Sequence, residues 1–215
     1  MKFGAHEVIE THEMLMSMIN EISHHNLYAK EASNPQLKDM IIRHRQHAIA
    51  SYNEIVQYTQ GGGNGSFRMI QQQEPMPMQA GGMMQNAQIQ YGLRQPAQHS
   101  PESNTAFSDW EISSAMLICH KNGARNAMTA ALECADPNLR TMMLNCAHAC
   151  ANHAYETFLF MNQQGMYQVP TLQEQTTQTY LNTYQPAPAN MMNTANPNVN
   201  ANPNLNSNPG IAYRQ

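Results

Sequence analysis

The sequence predicts an all-α protein, a four-helix bundle built from two repeated antiparallel helical hairpins. Three observations lead to this prediction. Long segments carry seams of residues at alternating steps of three and four, two of these segments begin with a capping residue followed by proline, and those two starts are 102 positions apart. Each hairpin has one apolar stripe to bury, so pairing the two hairpins covers both stripes.

The first helix is predicted from His6 to about Ala32. Its apolar residues fall near one face and its glutamates mainly outside that face. The predicted apolar face comprises Val8, Leu15, Met18, Ile22 and Tyr28, and the glutamates are Glu7, Glu10, Glu13 and Glu21.

The second helix is predicted from Pro35 to about Tyr58, with Ser33-Asn34-Pro35 ending the first helix and capping this one. So short a break makes the two helices antiparallel. The predicted inner seam is Leu37, Ile41, His44, Ala48, Ser51, Ile55 and Tyr58.

Residues 61–104 form a predicted linker rich in glycine, glutamine, methionine and proline, with no consistent period. A linker of this length can cross from one end of a bundle to the other. The alternative is a methionine-rich adhesive segment that packs onto partners.

The third helix is predicted to begin at Ser108, which forms a capping box with Glu111, and to be weakened at Gly123. Its predicted inner residues are Trp110, Leu117, His120, Ala124, Ala127 and Ala131. The fourth helix starts with Asp136-Pro137, and Gly165 is its predicted left-handed stop. Its seam is Leu139, Met143, Cys146, Cys150, His153, Thr157 and Phe160.

The predicted organisation is therefore two hairpins, a linker and a tail. The first hairpin covers 6–60, the linker 61–104, the second hairpin 105–170 and the tail 171–215. The tail is expected to be disordered because asparagine and proline alternate through much of it and little apolar surface is available for burial.

Composition argues against several functional classes. Charged residues are 12% of the chain and the net charge is −4, so no basic field is available to hold a nucleic acid. A surface made polar by amides and hydroxyls resists association less well than a charged one, which suits a protein packed against neighbours better than a freely soluble enzyme. No segment reaches the length of a membrane span, and the N-terminal residues lack the pattern of a signal peptide, so synthesis is expected to end in the cytoplasm.

Ten histidines and many glutamates raise the question of a metal site. A carboxylate-bridged di-metal site needs two Glu-x-x-His pairs, and only Glu21 to His24 fits that spacing; its counterparts after 102 positions are Gly123 and Asn126. We therefore predict no di-metal site. His24, His25, His44 and His47 are predicted to be surface or hydrogen-bonded core histidines.

A soft-metal site is the open alternative. Cys146, Cys150 and His153 share one face of the fourth helix, and His120 on the neighbouring helix could complete a tetrahedral set for zinc or copper(I). The competing interpretation is that the cysteines are small buried residues and that the histidines are satisfied by Glu156 or a backbone carbonyl. We predict no metal, no cofactor and no catalytic residue, since no nucleophile lies beside an orienting group and no glycine cluster matches a phosphate loop.

The second hairpin resembles the coat F family of bacterial spore coat proteins. The resemblance lies in Ala-Asp-Pro-Asn-Leu-Arg at 135–140, in His153 and Glu156, and in Met-Asn-Gln-Gln-Gly-Met-Tyr at 161–167. It covers about Trp110 to Pro170, with Glu7 to Tyr58 as a more divergent copy; Met166 stands where the family often has tryptophan.

The resemblance implies a ferritin-like helical fold and a structural role in the endospore coat. It implies synthesis in the mother cell, deposition around the forespore and assembly with other coat proteins, with self-association as a further expectation. The family motif contains no catalytic residue. A ferritin-like metal-binding protein or oxidoreductase is the alternative function.

Overall fold

Three of the four long helices begin at a residue whose side chain caps the first turn, namely Asn34, Ser108 and Asp136. The computed structural model describes residues 3–61, 88–94 and 106–188, and the chain divides into two units, 1–171 and 172–215. In the described part of the first unit the helices are α1 (Ala5–Glu31), α2 (Pro35–Thr59), α3 (Asp109–Glu133) and α4 (Pro137–Gln163). The prediction of an all-α fold built from paired helices is confirmed.

The predicted caps are confirmed in detail. The side chains of Asn34 and Asp136 each accept two backbone N–H groups in the first turns of α2 and α4. Ser108 and Glu111 form the capping box at the start of α3. Gly165 follows α4 with a φ of +73°, a left-handed conformation that glycine adopts without strain.

The helix directions follow from contacts at the helix ends. The backbone N–H of Phe107, just before α3, donates to Glu31 at the end of α1 (2.9 Å), so α1 and α3 are antiparallel. The hydroxyl of Tyr58, at the end of α2, donates to Asp136 before α4 (2.8 Å), so α2 and α4 are antiparallel. Because α1 and α2 are also antiparallel, α2 and α3 run in the same direction. The chain between them must therefore cross the length of the bundle, as predicted.

The two hairpins hold each other through a reciprocal pair of capping contacts. Glu7 on α1 accepts the backbone N–H of Asp136 in the α3–α4 turn. Asp109 on α3 accepts the backbone N–H groups of Ser33 (2.8 Å) and Asn34 (3.0 Å) in the α1–α2 turn. Glu7 and Asp109 correspond under the same shift of 102 positions that relates Asn34 to Asp136. The repeat in the sequence is thus also a repeat of contacts.

The interior consists of two apolar clusters separated by a layer of histidine and glutamate side chains, which we call the polar layer. One cluster lies toward the α3–α4 turn and contains Met14, Met18, Ile55 and Met143, among others. The other lies toward the α1–α2 turn and is centred on Leu37, Ile41, Met116, Leu117 and Phe160. Along each helix, the residues of the polar layer fall between these two clusters in sequence.

The predicted inner faces of α2, α3 and α4 are confirmed. The predicted face of α1 is partly wrong, although Met18 is buried as predicted and Leu15 and Tyr28 pack against the core. Val8 is 55% exposed, whereas Glu7 and Glu21 are buried. The buried residues of α1 are Glu7, Thr11, Met14, Met18, Glu21, His25 and Ala29. For Glu7 the physical reason is that its carboxylate accepts the backbone N–H groups of Gly4 and of Asp136 in the α3–α4 turn, which offset the loss of water. Glu21 is buried next to the His120 imidazole, and this burial raises its pKa to about 7.

A short piece of the predicted linker contacts the end of α4. Gln90 and Asn162 are joined by two hydrogen bonds, from the Gln90 N–H to the Asn162 carbonyl oxygen (2.8 Å) and from the Asn162 amide to the Gln90 carbonyl (3.0 Å). The N–H of Gly92 donates to the carbonyl of Val169 (2.9 Å). The other linker residues, 62–87 and 95–104, lie outside the described residues.

The described part of the second unit contains a short helix, α5 (Glu174–Leu181). The sequence did not predict it, and none of its residues is buried. The Asn/Pro-rich part of the predicted tail, from residue 189 onward, lies outside the described residues.

Candidate functional site

The polar layer at the centre of the bundle contains histidines from all four helices and two glutamates. His25 and Glu21 come from α1, His44 from α2 and His120 from α3. His153 and Glu156 come from α4. His25, His44 and His120 are each exposed by 1% or less, so bulk water does not satisfy their ring nitrogens.

His25 has one satisfied and one unsatisfied ring nitrogen. Its Nδ1 lies 2.8 Å from the backbone carbonyl oxygen of Glu21. A carbonyl oxygen only accepts, so Nδ1 carries the proton and Nε2 carries a lone pair. That Nε2 atom is buried and has no hydrogen-bond partner among the described residues.

His44 is oriented by a charged pair on its outer side. Its Nε2 lies 2.8 Å from Oε2 of Glu156, and the other oxygen of that carboxylate accepts from the Arg43 guanidinium at 2.7 Å. A carboxylate that already binds arginine accepts, so His44 Nε2 donates to it and Nδ1 carries the lone pair. This Nδ1 lies 3.1 Å from Nε2 of His120.

His120 lies between His44 and Glu21. Its Nδ1 atom is 3.5 Å from Oε1 of Glu21, yet this Nδ1 atom makes no hydrogen bond within the described part of the chain. Burial raises the pKa of Glu21 to about 7. Glu21 therefore has no strong partner in the present arrangement, although it lies next to an imidazole.

His153 closes the layer from α4. Its ring stacks on that of His44, with centroids 3.9 Å apart and an angle of 15° between the planes, and its centroid is 5.2 Å from that of His120. One ligand atom from each of Glu21, His120 and His153 lies within 4.8 Å of the others, and the same holds for His25, His44 and His120.

Burial determines the charge of this layer. It lowers the pKa of His25, and it lowers those of His44, His120 and His153 further below their ordinary value, with repulsion between neighbouring histidines adding to the effect. The imidazoles are therefore neutral at pH 7. Neutral imidazole is the form that binds metal ions.

The fold brings together only part of the candidate soft-metal ligand set of Cys146, Cys150, His153 and His120. His120 and His153 belong to the polar layer, and Cys146 and Cys150 line a small cavity beside it together with Glu21 and His153. Burial raises the pKa of Cys146 to about 12 and that of Cys150 further, so both are thiols rather than thiolates. Among the described residues, neither group of converging ligand atoms includes a cysteine.

The residues present do not fit a carboxylate-bridged di-metal centre. Such a centre needs a glutamate from each of the four helices, together with two histidines. The described polar layer supplies Glu21 and Glu156, and Glu156 is already bonded to Arg43 and His44. Of the Glu21–His24 pair that matched the spacing, only Glu21 lies inside, while His24 is exposed.

Sequence reasoning placed His44, His120 and His153 on inner seams but missed Glu21 and His25. Both lie on the face of α1 that was predicted to be polar. The available signal was the four-residue spacing of Glu21 and His25, which continues the Met14–Met18 step along one face.

Comparison with known proteins identifies the second hairpin. Residues 108–170, which comprise α3, α4 and the turn after Gly165, match the family model of the Coat F domain. This match spans the whole second hairpin. The resemblance predicted from the residues of the second hairpin is thereby confirmed, and His120, His153 and Glu156 lie within the domain.

Relatives extend the similarity beyond the Coat F domain. Spore coat protein F-like protein YhcQ of Bacillus subtilis (strain 168) is 26% identical over 190 residues, which is 87% of this chain and 83% of YhcQ. A crystal structure from Bacillus halodurans C-125, whose name describes a spore coat protein, superposes with a TM-score of 0.57 at 13% identity, covering 81% of this chain and 97% of the other. At that identity the structural match shows the shared fold.

Proposed function

We propose that this protein is a structural component of the bacterial endospore coat that assembles with other coat proteins. The observation that carries the proposal is the Coat F domain at residues 108–170. The similarity to YhcQ over most of both chains supports the same role for the whole protein rather than for one hairpin alone.

The outer face of α1 supports assembly with other proteins. Five large apolar side chains, exposed by 42–59%, lie on the side of this helix away from the core: Val8, Ile9, Met16, Ile19 and Leu27. We call these five residues the α1 stripe. Large apolar side chains exposed on the same helix favour contact with another protein.

The low charge of the chain supports the same role. Charged residues are only 12% of the sequence, so electrostatic repulsion between neighbouring copies is weak and dense packing is favoured. Among the described residues, no helix combines the length and hydrophobicity that a membrane span requires. A role as a coat protein made in the mother cell and held in place by protein contacts is consistent with both findings.

Fractionation of sporulating cells tests the proposal. Antibodies against the chain should detect it in the coat extract of purified spores and in the mother-cell compartment during sporulation, and should not detect it in vegetative cells. Detection in vegetative cells, or only in the spore core after the coat has been removed, would contradict the proposal. A known coat protein and a core protein detected on the same membrane provide the matched controls.

A further inference from the structure

We propose that the polar layer binds one divalent transition-metal ion of the zinc class, with His25, His44 and His120 as its three protein ligands. One ring nitrogen of each of these histidines lies within 4.8 Å of a nitrogen of the other two, and all three residues are buried. Three imidazoles from three helices form a ligand set that zinc accepts when a fourth ligand completes the tetrahedron.

The distance between two of the ligands already suits a shared ion. His44 Nδ1 and His120 Nε2 are 3.1 Å apart. Two nitrogens bound to the same tetrahedral zinc at 2.0–2.1 Å lie roughly 3.3 Å from each other. In the described structure His120 Nε2 donates to His44 Nδ1 at this distance, so binding an ion requires the His120 proton to move to Nδ1 and the two rings to turn toward the ion.

The hydrogen-bond pattern supplies the lone pairs that an ion needs. The Glu21 carbonyl keeps the proton of His25 on Nδ1, and Glu156 keeps that of His44 on Nε2. His25 Nε2 and His44 Nδ1 consequently carry lone pairs inside the bundle. Without an ion, the described structure leaves His25 Nε2 and His120 Nδ1 without hydrogen bonds, at a cost of about 1–3 kcal/mol each.

An ion resolves both unsatisfied nitrogens. It would bind His25 Nε2 directly. It would also take the lone pair of His120 Nε2, which leaves the proton of His120 on Nδ1, the atom that lies 3.5 Å from the Glu21 carboxylate. Glu21 and Glu156 would then each orient one ligand histidine, an arrangement common around protein-bound zinc. Ionised Glu21 would also offset part of the charge of the ion, while the charge of Glu156 is already paired with Arg43.

Binding of Zn²⁺ and Co²⁺ to the purified full-length chain tests the proposal. We expect one equivalent of Zn²⁺ by titration against a chromophoric chelator, with a rise in melting temperature. Co²⁺ should give the visible spectrum of a low-coordinate nitrogen site without the near-ultraviolet bands of a cobalt–thiolate bond. Failure of the wild-type chain to bind one equivalent would overturn the proposal, whatever the location of the protein in the cell.

Variants separate this site from other sources of binding. H25Q and H120Q should each lower Zn²⁺ affinity at least 100-fold, and E156Q should lower it 10- to 100-fold because it disturbs a ligand through its hydrogen bond. H24Q, at the exposed neighbouring histidine, should bind as the wild type does. Helical circular dichroism of each metal-free variant verifies that it is folded.

The double variant C146A/C150A distinguishes the proposed site from a cysteine site. It should retain full Zn²⁺ affinity, because neither cysteine belongs to the ligand set. Loss of Zn²⁺ in this variant, or wild-type affinity in a folded H25Q, would contradict the proposal.

Discussion

At the scale of single residues, close contacts between small side chains position the helices. Gly123 lies on α3 opposite Cys150 on α4, and a Cβ atom at Gly123 would lie 3.0 Å from the Cys150 sulfur. Glycine inside a helix destabilises it by about 1 kcal/mol relative to alanine. Here the close approach of α4 explains a residue that the sequence alone marked as a weakness.

We therefore predict that the effect of G123A depends on Cys150. In a C150A background, G123A should stabilise the protein by about 0.5–1 kcal/mol, because the helix gains alanine without a clash. In the wild-type background this gain should be lost or reversed. Urea denaturation of the two single variants and the double variant measures the coupling, and additive effects would contradict the predicted contact.

At the scale of elements, carboxylates on one hairpin cap the turn of the other. Glu7 accepts the N–H groups of Gly4 and Asp136, and these hydrogen bonds hold its pKa below the ordinary value of 4.5. Asp109 makes the matching contacts to Ser33 and Asn34. The interlock holds the two hairpins together at both ends of the bundle.

We predict that E7Q destabilises the protein by about 2 kcal/mol at pH 7, the value of hydrogen bonds to a charged group. Because the folded pKa of Glu7 is lowered, its contribution is complete above pH 4.5 and is lost as the pH falls through the folded pKa. The difference in unfolding free energy between E7Q and the wild type should therefore become smaller at acidic pH. Urea denaturation as a function of pH measures it.

The matched control is E13Q, which changes an exposed glutamate on the same helix. E13Q should leave the free energy of unfolding nearly unchanged at every pH. If E7Q lowers the free energy of unfolding no more than E13Q does, the Glu7 contacts contribute little to stability.

At the scale of the whole molecule, the α1 stripe is the surface on which assembly depends in our proposal. The double variant M16K/I19K places two charges in the stripe, and lysine is compatible with a helix. We predict a folded protein whose recovery in the spore coat falls about tenfold or more, because burying a charge in a contact costs more than about 1.4 kcal/mol.

The control for added charge is Q46K/N53K, at two exposed polar positions of α2. It should enter the coat as the wild type does. Equal recovery of both double variants would contradict a role for the α1 stripe, and quantitative immunodetection in spore coat extracts makes the comparison.

The sequence by itself determined the four long helices of the bundle and their ends. Caps such as Asn34 and Asp136 bind N–H groups only a few residues further along the chain, so the local sequence reveals them. The inner faces of α2, α3 and α4 follow from the periodicity of their apolar residues. The repeated spacing of the hairpins and the long connection between them were enough to predict the crossover.

Only the tertiary structure decided which face of α1 lies inside and which histidines meet. Glu7, Glu21 and His25 are buried because their neighbours lie on other helices or at their ends, as with Asp136 for Glu7 and His120 for Glu21. Hydrophobic periodicity measures the loss of water alone, whereas Glu7 is held by a hydrogen bond to a turn far away in the chain and Glu21 lies beside His120 of another helix. The spacing of Glu21 and His25 indicated the buried face of α1, but which side chains meet in the polar layer became visible only once the four helices were packed.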